Sequence, residues 1–303
     1  MTVAVPTFSV IVPTHNRLRC LTHCLESLQA LDYPAGAWEL IVVNDGGAEP
    51  FGLLPEDLVS ALPLRVHSIE HRGAASARNE GARLATGEIL AFLDDDCRVE
   101  PDWLQQYAAG FAVGRWNALG GRSINPTPGN LARDCWHALI EFLYTHLIDE
   151  AGNALLVVSN NAAYRRIAFE QLGGFDEAFR WSEDWDLSVR ALLRGFRQAY
   201  FPQARVQHHS AVATPWGYLR QQYDYGRGAY RLERKWMASE VATQAHRLLR
   251  GKGSFRRDLW RRLRSSRAPV RMWLLIHLGQ LCHRLGKLLG ALDQPAVQPP
   301  VMS

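Results

Sequence analysis

Glu88-Ile89-Leu90-Ala91-Phe92-Leu93-Asp94-Asp95-Asp96 carries an apolar run straight into three carboxylates. Unbroken apolarity up to Leu93 suits a strand buried on both faces, as in a parallel sheet covered by helices. The segments upstream repeat the theme. Leu64 to Ile69 reads as a third strand and Ala74 to Ala85 as the helix that leads into Glu88 to Leu93, the fourth. Phe8-Ser9-Val10-Ile11-Val12-Pro13 is a first strand stopped by proline. Leu18 to Leu31 has helical apolar spacing, and Glu39-Leu40-Ile41-Val42-Val43-Asn44-Asp45-Gly46-Gly47 is a second strand closing in polar and glycine residues. This alternation predicts an α/β domain with a mostly parallel central sheet flanked by helices. Ligands of such sheets gather at the carboxyl ends of the strands, so Pro13 to Arg17, Asp45 and Asp94 to Asp96 are expected along one crevice.

Beyond Gly120-Gly121 the alternation blurs. Leu131 to Leu147 reads as a helix, Leu155 to Val158 as a strand, Asp184 to Leu193 as a helix ending before Gly195, and Arg197 to Phe201 as a further strand. From Trp216 onward the pattern is helical, with a proline-rich tail from Gln294 to Ser303. The expected organisation is an α/β unit over 1–215, dividing near residue 120, followed by a helical basic extension over 216–303.

With 303 residues, 47% of them hydrophobic, the chain is too apolar for general disorder. Its five cysteines, Cys20, Cys24, Cys97, Cys135 and Cys282, form no regular framework, and the first fifteen residues lack a signal-peptide plan. Both features point to the cytoplasm, with the cytoplasmic face of a membrane as the other placing. Cys20 and Cys24 with His15 and His23 can be read as a zinc cluster, but their spacing is also one turn of a helix whose buried stripe needs Leu21, Leu25 and Leu28.

Three adjacent carboxylates raise one another's pKa unless a cation intervenes. Period-two alternation places Asp94 and Asp96 on one side and Asp95 on the other, which suits two hard oxygen ligands at one ion. Mg²⁺ or Mn²⁺ on a diphosphate needs only one or two carboxylates, since water and phosphate oxygens complete the octahedron. A helix cap or an exposed turn accounts for the same acids without an ion.

Further motifs narrow the choice. Val10-Ile11-Val12-Pro13-Thr14-His15-Asn16-Arg17, Val42-Val43-Asn44-Asp45-Gly46, Ala77-Arg78-Asn79-Glu80-Gly81 and Phe92-Leu93-Asp94-Asp95-Asp96 resemble, in order, the nucleotide-half motifs of the family-2 glycosyltransferases, whose fold is the A-type. The resemblance continues through Ser159-Asn160-Asn161-Ala162, Gly173-Gly174-Phe175-Asp176, Ser182-Glu183-Asp184 and Val206-Gln207-His208, and covers about two-thirds of the chain. It implies an inverting, metal-dependent transfer of a sugar from a nucleoside diphosphate to an acceptor hydroxyl, on a glycan or a lipid-linked molecule, as in the synthesis of polysaccharide, glycolipid or other cell-surface glycans. By matching motif, Pro13, Thr14, Arg17, Asp45, Arg78 and Asp94 take the nucleotide. Asp94, Asp96 and His208 take Mn²⁺ or Mg²⁺, with His209 as the rival of His208. Asp184 is the base, Glu183 being able to exchange roles with it. Gly174, Phe175, Trp181 and Trp185 line the acceptor side; for the aromatic residues core packing is the alternative, and for the glycines a plain helix stop.

Two other functions use similar parts. A sugar-1-phosphate nucleotidyltransferase would carry a glycine-rich loop after its first strand, which Pro13-Thr14-His15-Asn16-Arg17 does not provide. A non-catalytic nucleotide-sugar-binding or membrane scaffold would have no need of Asp94, Asp96 and Asp184 together.

The net charge of +4 is unevenly spread. Between Glu240 and Asp293 the only acid is Asp258, against Arg247, Arg250, Lys252, Arg256, Arg257, Arg261, Arg262, Arg264, Arg267 and Arg271. Phe255, Leu259 and Leu263 recur at every fourth position with Trp260 beside them, as in a helix lying on an anionic membrane surface, or in one packed on the catalytic unit. Polar residues within Met272 to Leu292 argue against a bilayer crossing. No recognised module accompanies the arginines, so nucleic acid is not an expected partner.

Overall fold

Strands whose residues are apolar on both faces occupy the middle of the sheet. In the computed structural model β1 (Phe8–Thr14), β2 (Trp38–Asp45) and β4 (Ile89–Leu93) are buried over most or all of their lengths. With β3 (Leu64–Ile69), β5 (Cys97–Val99), β6 (Ala118–Ile124), β7 (Asn161–Arg165) and β8 (Gln198–His208) they form an eight-stranded sheet in the order β3-β2-β1-β4-β7-β6-β8-β5. The structure describes residues 5–48, 54–236, 239–240, 243 and 255–292. The Gln294 to Ser303 tail and Arg247, Arg250 and Lys252 lie outside them.

The parallel arrangement expected from the apolar runs holds for β3-β2-β1-β4 and again for β6 with β8, whereas β7 is antiparallel to β4 and β6, and β5 to β8. Helix α1 (Leu18–Gln29) covers one face, its Leu21, Cys24, Leu25 and Leu28 packing with Val10 and Val12. Helix α3 (Ala74–Leu84) covers the other, with Ala77 against Ile41 and Val43. Cys24 thus belongs to a helical core stripe, and all five cysteines are free thiols. Because β1 lies between β2 and β4, strand order reverses beside it, which opens a crevice at the carboxyl ends of these strands.

The second half departs from the sequence expectation at one point. Leu155 to Val157 are buried, Val158 half-buried, and the segment forms no strand: Leu155 N donates to the Leu147 carbonyl, Val157 N to Ser188 Oγ and Val158 N to Tyr144 Oη. Helix α5 (Leu131–His146) with its C-terminal cap Leu147, and helix α7 (Glu183–Leu193), supply those partners, so the segment satisfies these amides without a ladder. The strand is β7, and β8 runs on past Pro202 to His208, seven residues beyond the expected Phe201. Short elements, α2 (Glu56–Ala61), α4 (Trp103–Ala112) and α6 (Arg166–Leu172), fill the connections.

The basic C-terminal region packs on this body. Helix α8 (Pro215–Trp236), helix α9 (Phe255–Leu263) and helix α10 (Pro269–Gly290) surround α5 in a core of their own that includes Cys135, Trp136, Phe142, Tyr218 and Ile276. Leu259 and Leu263, two of the periodic residues expected to rest on a membrane, are fully buried in that core and face the protein instead. Helices α8 and α10 run side by side in the same direction, Gly279 against Tyr218, Gly286 against Tyr223 and Gly290 against Arg227. A side chain on Gly286 would strike the Tyr223 carbonyl, and one on Gly226 the carbonyl of His283, so the pair closes only through glycine.

Candidate active site

The carboxyl ends of β1, β2 and β4 open into a cleft of about 1380 Å³, lined by Pro13, Thr14, Arg17, Asp45, Arg78, Asp94, Asp95, Asp96, Trp181, Glu183, Asp184, Trp185 and His208 among others. The chain leaves the strand at Leu93 and turns at once, so alternation does not govern the three aspartates. Asp94 Oδ1 accepts from Arg78 Nη2 at 2.6 Å. Asp95 accepts from Thr14 Oγ1 at 2.7 Å and pairs with Arg17 at 2.9 Å. Asp96 takes the other arm of Arg17 at 2.6 Å and lies 3.4 Å from His208 Nε2. Asp95 and Asp96 therefore share one guanidinium while Asp94 stands apart on another, which corrects the expected pairing of Asp94 with Asp96.

Burial sets the charges here. It pushes Asp95 up to about 7, helped by Asp96 and Asp94 and opposed by Arg17 and Thr14. Asp96 is buried too, but His208 and Arg17 outweigh that and hold its carboxyl well below the usual range. Arg17 stays charged: burial opposes it, and the Asp96 and Asp95 carboxylates prevail.

Ligand atoms of Asp96, Cys97 and His208 lie within 4.8 Å of one another. Cys97 is buried in the core, and burial pushes its thiol well up, so it does not offer a thiolate. The ionised Asp96 and the imidazole of His208 fit a divalent cation, and His208 Nδ1 is buried without a partner among the described residues. Asp94 keeps an oxygen beyond its Arg78 bond and is 30% exposed toward the cleft. His209 is the less enclosed of the two histidines, and its backbone N donates to the Asp96 carbonyl.

Asp45, at the end of β2, is buried and accepts from the backbone N–H of Arg72 (2.8 Å) and Gly73 (2.9 Å), with His71 Nδ1 at 2.9 Å. The rings of His15 and His71 lie 4.3 Å apart above it. Oδ1, which takes only the Arg72 amide, retains a lone pair for a donor on a ligand.

Across the cleft Arg78, itself buried, reaches Glu183 Oε1 with Nη1 at 2.9 Å, so one guanidinium ties Asp94 to Glu183. Asp184 forms no salt bridge among the described residues. Burial and the charge of Glu183 push it up to about 7, against the Trp185 amide and the more distant Arg78. Ser182, which begins α7, has φ 71°, and Asn16, between His15 and Arg17, has φ 51°. Among the described residues these are the two non-glycine positions with left-handed backbone; Ser182 lines the cleft and Asn16 lies between the lining residues His15 and Arg17, in the kind of place where such strain tends to collect.

Trp181 and Trp185 line the cleft, with Tyr225 of α8 edge-on to Trp181 at 5.7 Å between ring centroids. Gly174 and Phe175 do not. Gly173 and Gly174 adopt left-handed backbone where α6 stops, and Phe175 is buried against Phe92 and Phe169 beneath Arg78. Packing claims that ring, because the turn directs it into the sheet. The sequence gives no sign of several other lining residues, His71, Trp136, Gln222 and Tyr225, which tertiary packing alone brings here.

The sequence profile described as glycosyl transferase family 2 matches residues 9–173. The chain is 25% identical over 247 residues to Glycosyltransferase AglE of Haloferax volcanii, spanning 80% of this chain and 78% of that one. It is 28% identical over 222 residues to Glucosyl-dolichyl phosphate glucuronosyltransferase of the same organism, spanning 66% and 68%. Among solved structures, the mannosyltransferase PcManGT from Pyrobaculum calidifontis in complex with GDP-Man and Mn²⁺ superposes with a TM-score of 0.66 at 20% identity, over 95% of this chain and 85% of that one. At that identity the likeness is one of fold.

Proposed function

The chain belongs to glycosyl transferase family 2, and on that premise we propose that it moves a sugar, with inversion, from a nucleoside diphosphate to an acceptor hydroxyl, with Mn²⁺ or Mg²⁺ held at Asp96 and His208. One observation carries the reading: a single cleft is lined both by a cation-suited pair, Asp96 and His208, and by Asp184, a carboxylate that forms no salt bridge among the described residues. The bound cation would neutralise charge on the diphosphate as it leaves. Arg17 adds a permanent positive charge beside it.

Asp184 is the proton acceptor in this scheme, and Glu183 is not, because Arg78 already compensates Glu183. The acceptor O–H gives its proton to Asp184 while its oxygen bonds to the anomeric carbon. The bond from that carbon to the diphosphate oxygen breaks, and the nucleoside diphosphate leaves with the electron pair. A base separate from the leaving group permits this single displacement without a covalent intermediate. Asp45 and its histidines suit a nucleobase, a carboxylate being able to accept its N–H.

A lipid-linked acceptor is favoured by the far wall of the cleft, where Leu139, Ile140, Leu143, Leu232 and Trp236 are apolar. The relative named for a glucosyl-dolichyl phosphate substrate points the same way.

The test is a thermal-shift panel of nucleoside diphosphates and nucleotide sugars with Mn²⁺ or Mg²⁺. Wild type should gain metal-dependent stabilisation from its donor, and Asp96→Ala should lose it. Asp184→Asn should keep donor stabilisation and lose transfer. Wild-type turnover by Asp184→Asn would remove Asp184 from the base role.

A further inference from the structure

Helix α10 carries two stripes on opposite faces. Met272, Ile276, Gly279, Gly286 and Gly290 face the protein and are buried. Val270, Leu274, Leu278, Leu281, Leu285, Leu288 and Leu292 face outward, spaced by four, four, three, four, three and four residues, which keeps them on one line along a helix. Leu274 is 56% exposed, Leu281 58% and Leu288 69%. An unbroken exposed row of this length marks a contact surface rather than scattered surface apolarity.

The charges beside the row identify the occupant. Arg271 and Arg284 are exposed on its two borders, and no aspartate or glutamate occurs from Leu259 to Leu292. Trp260, exposed and edge-on to Trp273, stands near its amino end. A second copy of the chain would set like charges against one another with none of the opposite charges that normally frame a leucine seam. A row of leucines with exposed arginines on both borders, and an indole at one end, complements an anionic lipid surface. No helix among the described residues is long and apolar enough to cross a bilayer, so the contact is one of lying on the surface.

We propose that the outward stripe of α10, Leu274 through Leu288 with Arg271 and Arg284, seats the protein on an anionic membrane surface. The stripe differs from the Phe255, Leu259 and Leu263 row, whose described members are buried. Gln280, His283 and Arg284 of the same helix line the cleft, so the helix that seats the protein also contributes to the cleft wall. The surface contact does not depend on the transfer chemistry.

The experiment is flotation of the full chain with vesicles of phosphatidylcholine, with and without phosphatidylglycerol. Wild type should float with the phosphatidylglycerol vesicles, less so at high salt, and remain behind with phosphatidylcholine alone. The triple variant Leu278→Ser/Leu281→Ser/Leu285→Ser should lose about a hundredfold in partitioning. Its thermal melting should stay close to the wild-type value, because these side chains are half-exposed and none belongs to the core around Tyr218 and Ile276; a melting temperature well below wild type would place them in the fold and overturn the proposal. So would equal flotation of variant and wild type, or absence of wild-type flotation. A concentration-dependent dimer in sedimentation, lost in the triple variant without any vesicle binding, would assign the stripe to a second copy instead.

Discussion

Arg78 is the residue on which the cleft's electrostatics turn. Removing its charge in Arg78→Met leaves Asp94 and Glu183 facing the same buried space without compensation, and we expect a loss of roughly 3–5 kcal/mol of stability, read as a fall in thermal or urea midpoint. Asp184 makes a second prediction through pH. Transfer should rise about tenfold per pH unit toward neutrality and level off above about 7, as the carboxyl ionises. The stability consequence has the opposite sense. The folded state holds this proton up to about 7, whereas an unfolded aspartate releases it near 4. The stabilisation from the neutral acid is therefore complete below the unfolded value and is lost as pH rises through the folded one. Denaturation of wild type and Asp184→Asn across that window should show the variant gaining relative stability as pH rises, with no change in the difference counting against a buried, uncompensated Asp184. That Asp94, Asp96 and Asp184 share one cleft is legible in the sequence because each sits in a contiguous motif. The partners of Asp95 are not, since strand alternation was extended past the residue at which the strand stops.

At the scale of elements, the apolar runs read correctly wherever a strand is covered on both faces, as in β1, β2 and β4. They fail where apolarity and hydrogen bonding part company. Leu155 to Val158 is apolar and largely buried but bonds to side chains, whereas β7 opens on Asn161, a polar residue whose side chain accepts from Trp103 Nε1 and Tyr107 Oη within the core. No periodicity signals a buried asparagine so satisfied. The helix pair α8 and α10 yields a third prediction. Gly286→Leu must push two backbones apart, and we expect at least about 2 kcal/mol of destabilisation, measured by thermal melting. An unchanged melting temperature would mean the helices do not approach as closely as described.

For the whole molecule, the core around Trp136, Tyr218, Leu259 and Ile276 joins α5, drawn from the expected catalytic unit, to the three C-terminal helices. A chain ending at residue 215 would uncover Cys135, Trp136 and Phe142, and we expect it to be insoluble or aggregated on size-exclusion chromatography; a monodisperse fragment with a cooperative melt would instead establish 1–215 as self-sufficient. Sequence alone placed basic residues and helical spacing in the final third, but could not say which way each helix faced, because rotation about the axis is fixed by neighbours rather than by the helix itself.

The glycine seam between α8 and α10 has a mechanical corollary. Where two backbones touch with no side chain between them, the joint has little compliance, and α10 cannot roll or tilt without carrying α8 along. Since α8 contributes Gln222, Tyr225 and Trp236 to the cleft wall, the bearing of the cleft mouth is fixed with respect to the outer leucine row, so that whatever plane the row rests on also sets the angle from which an acceptor must approach.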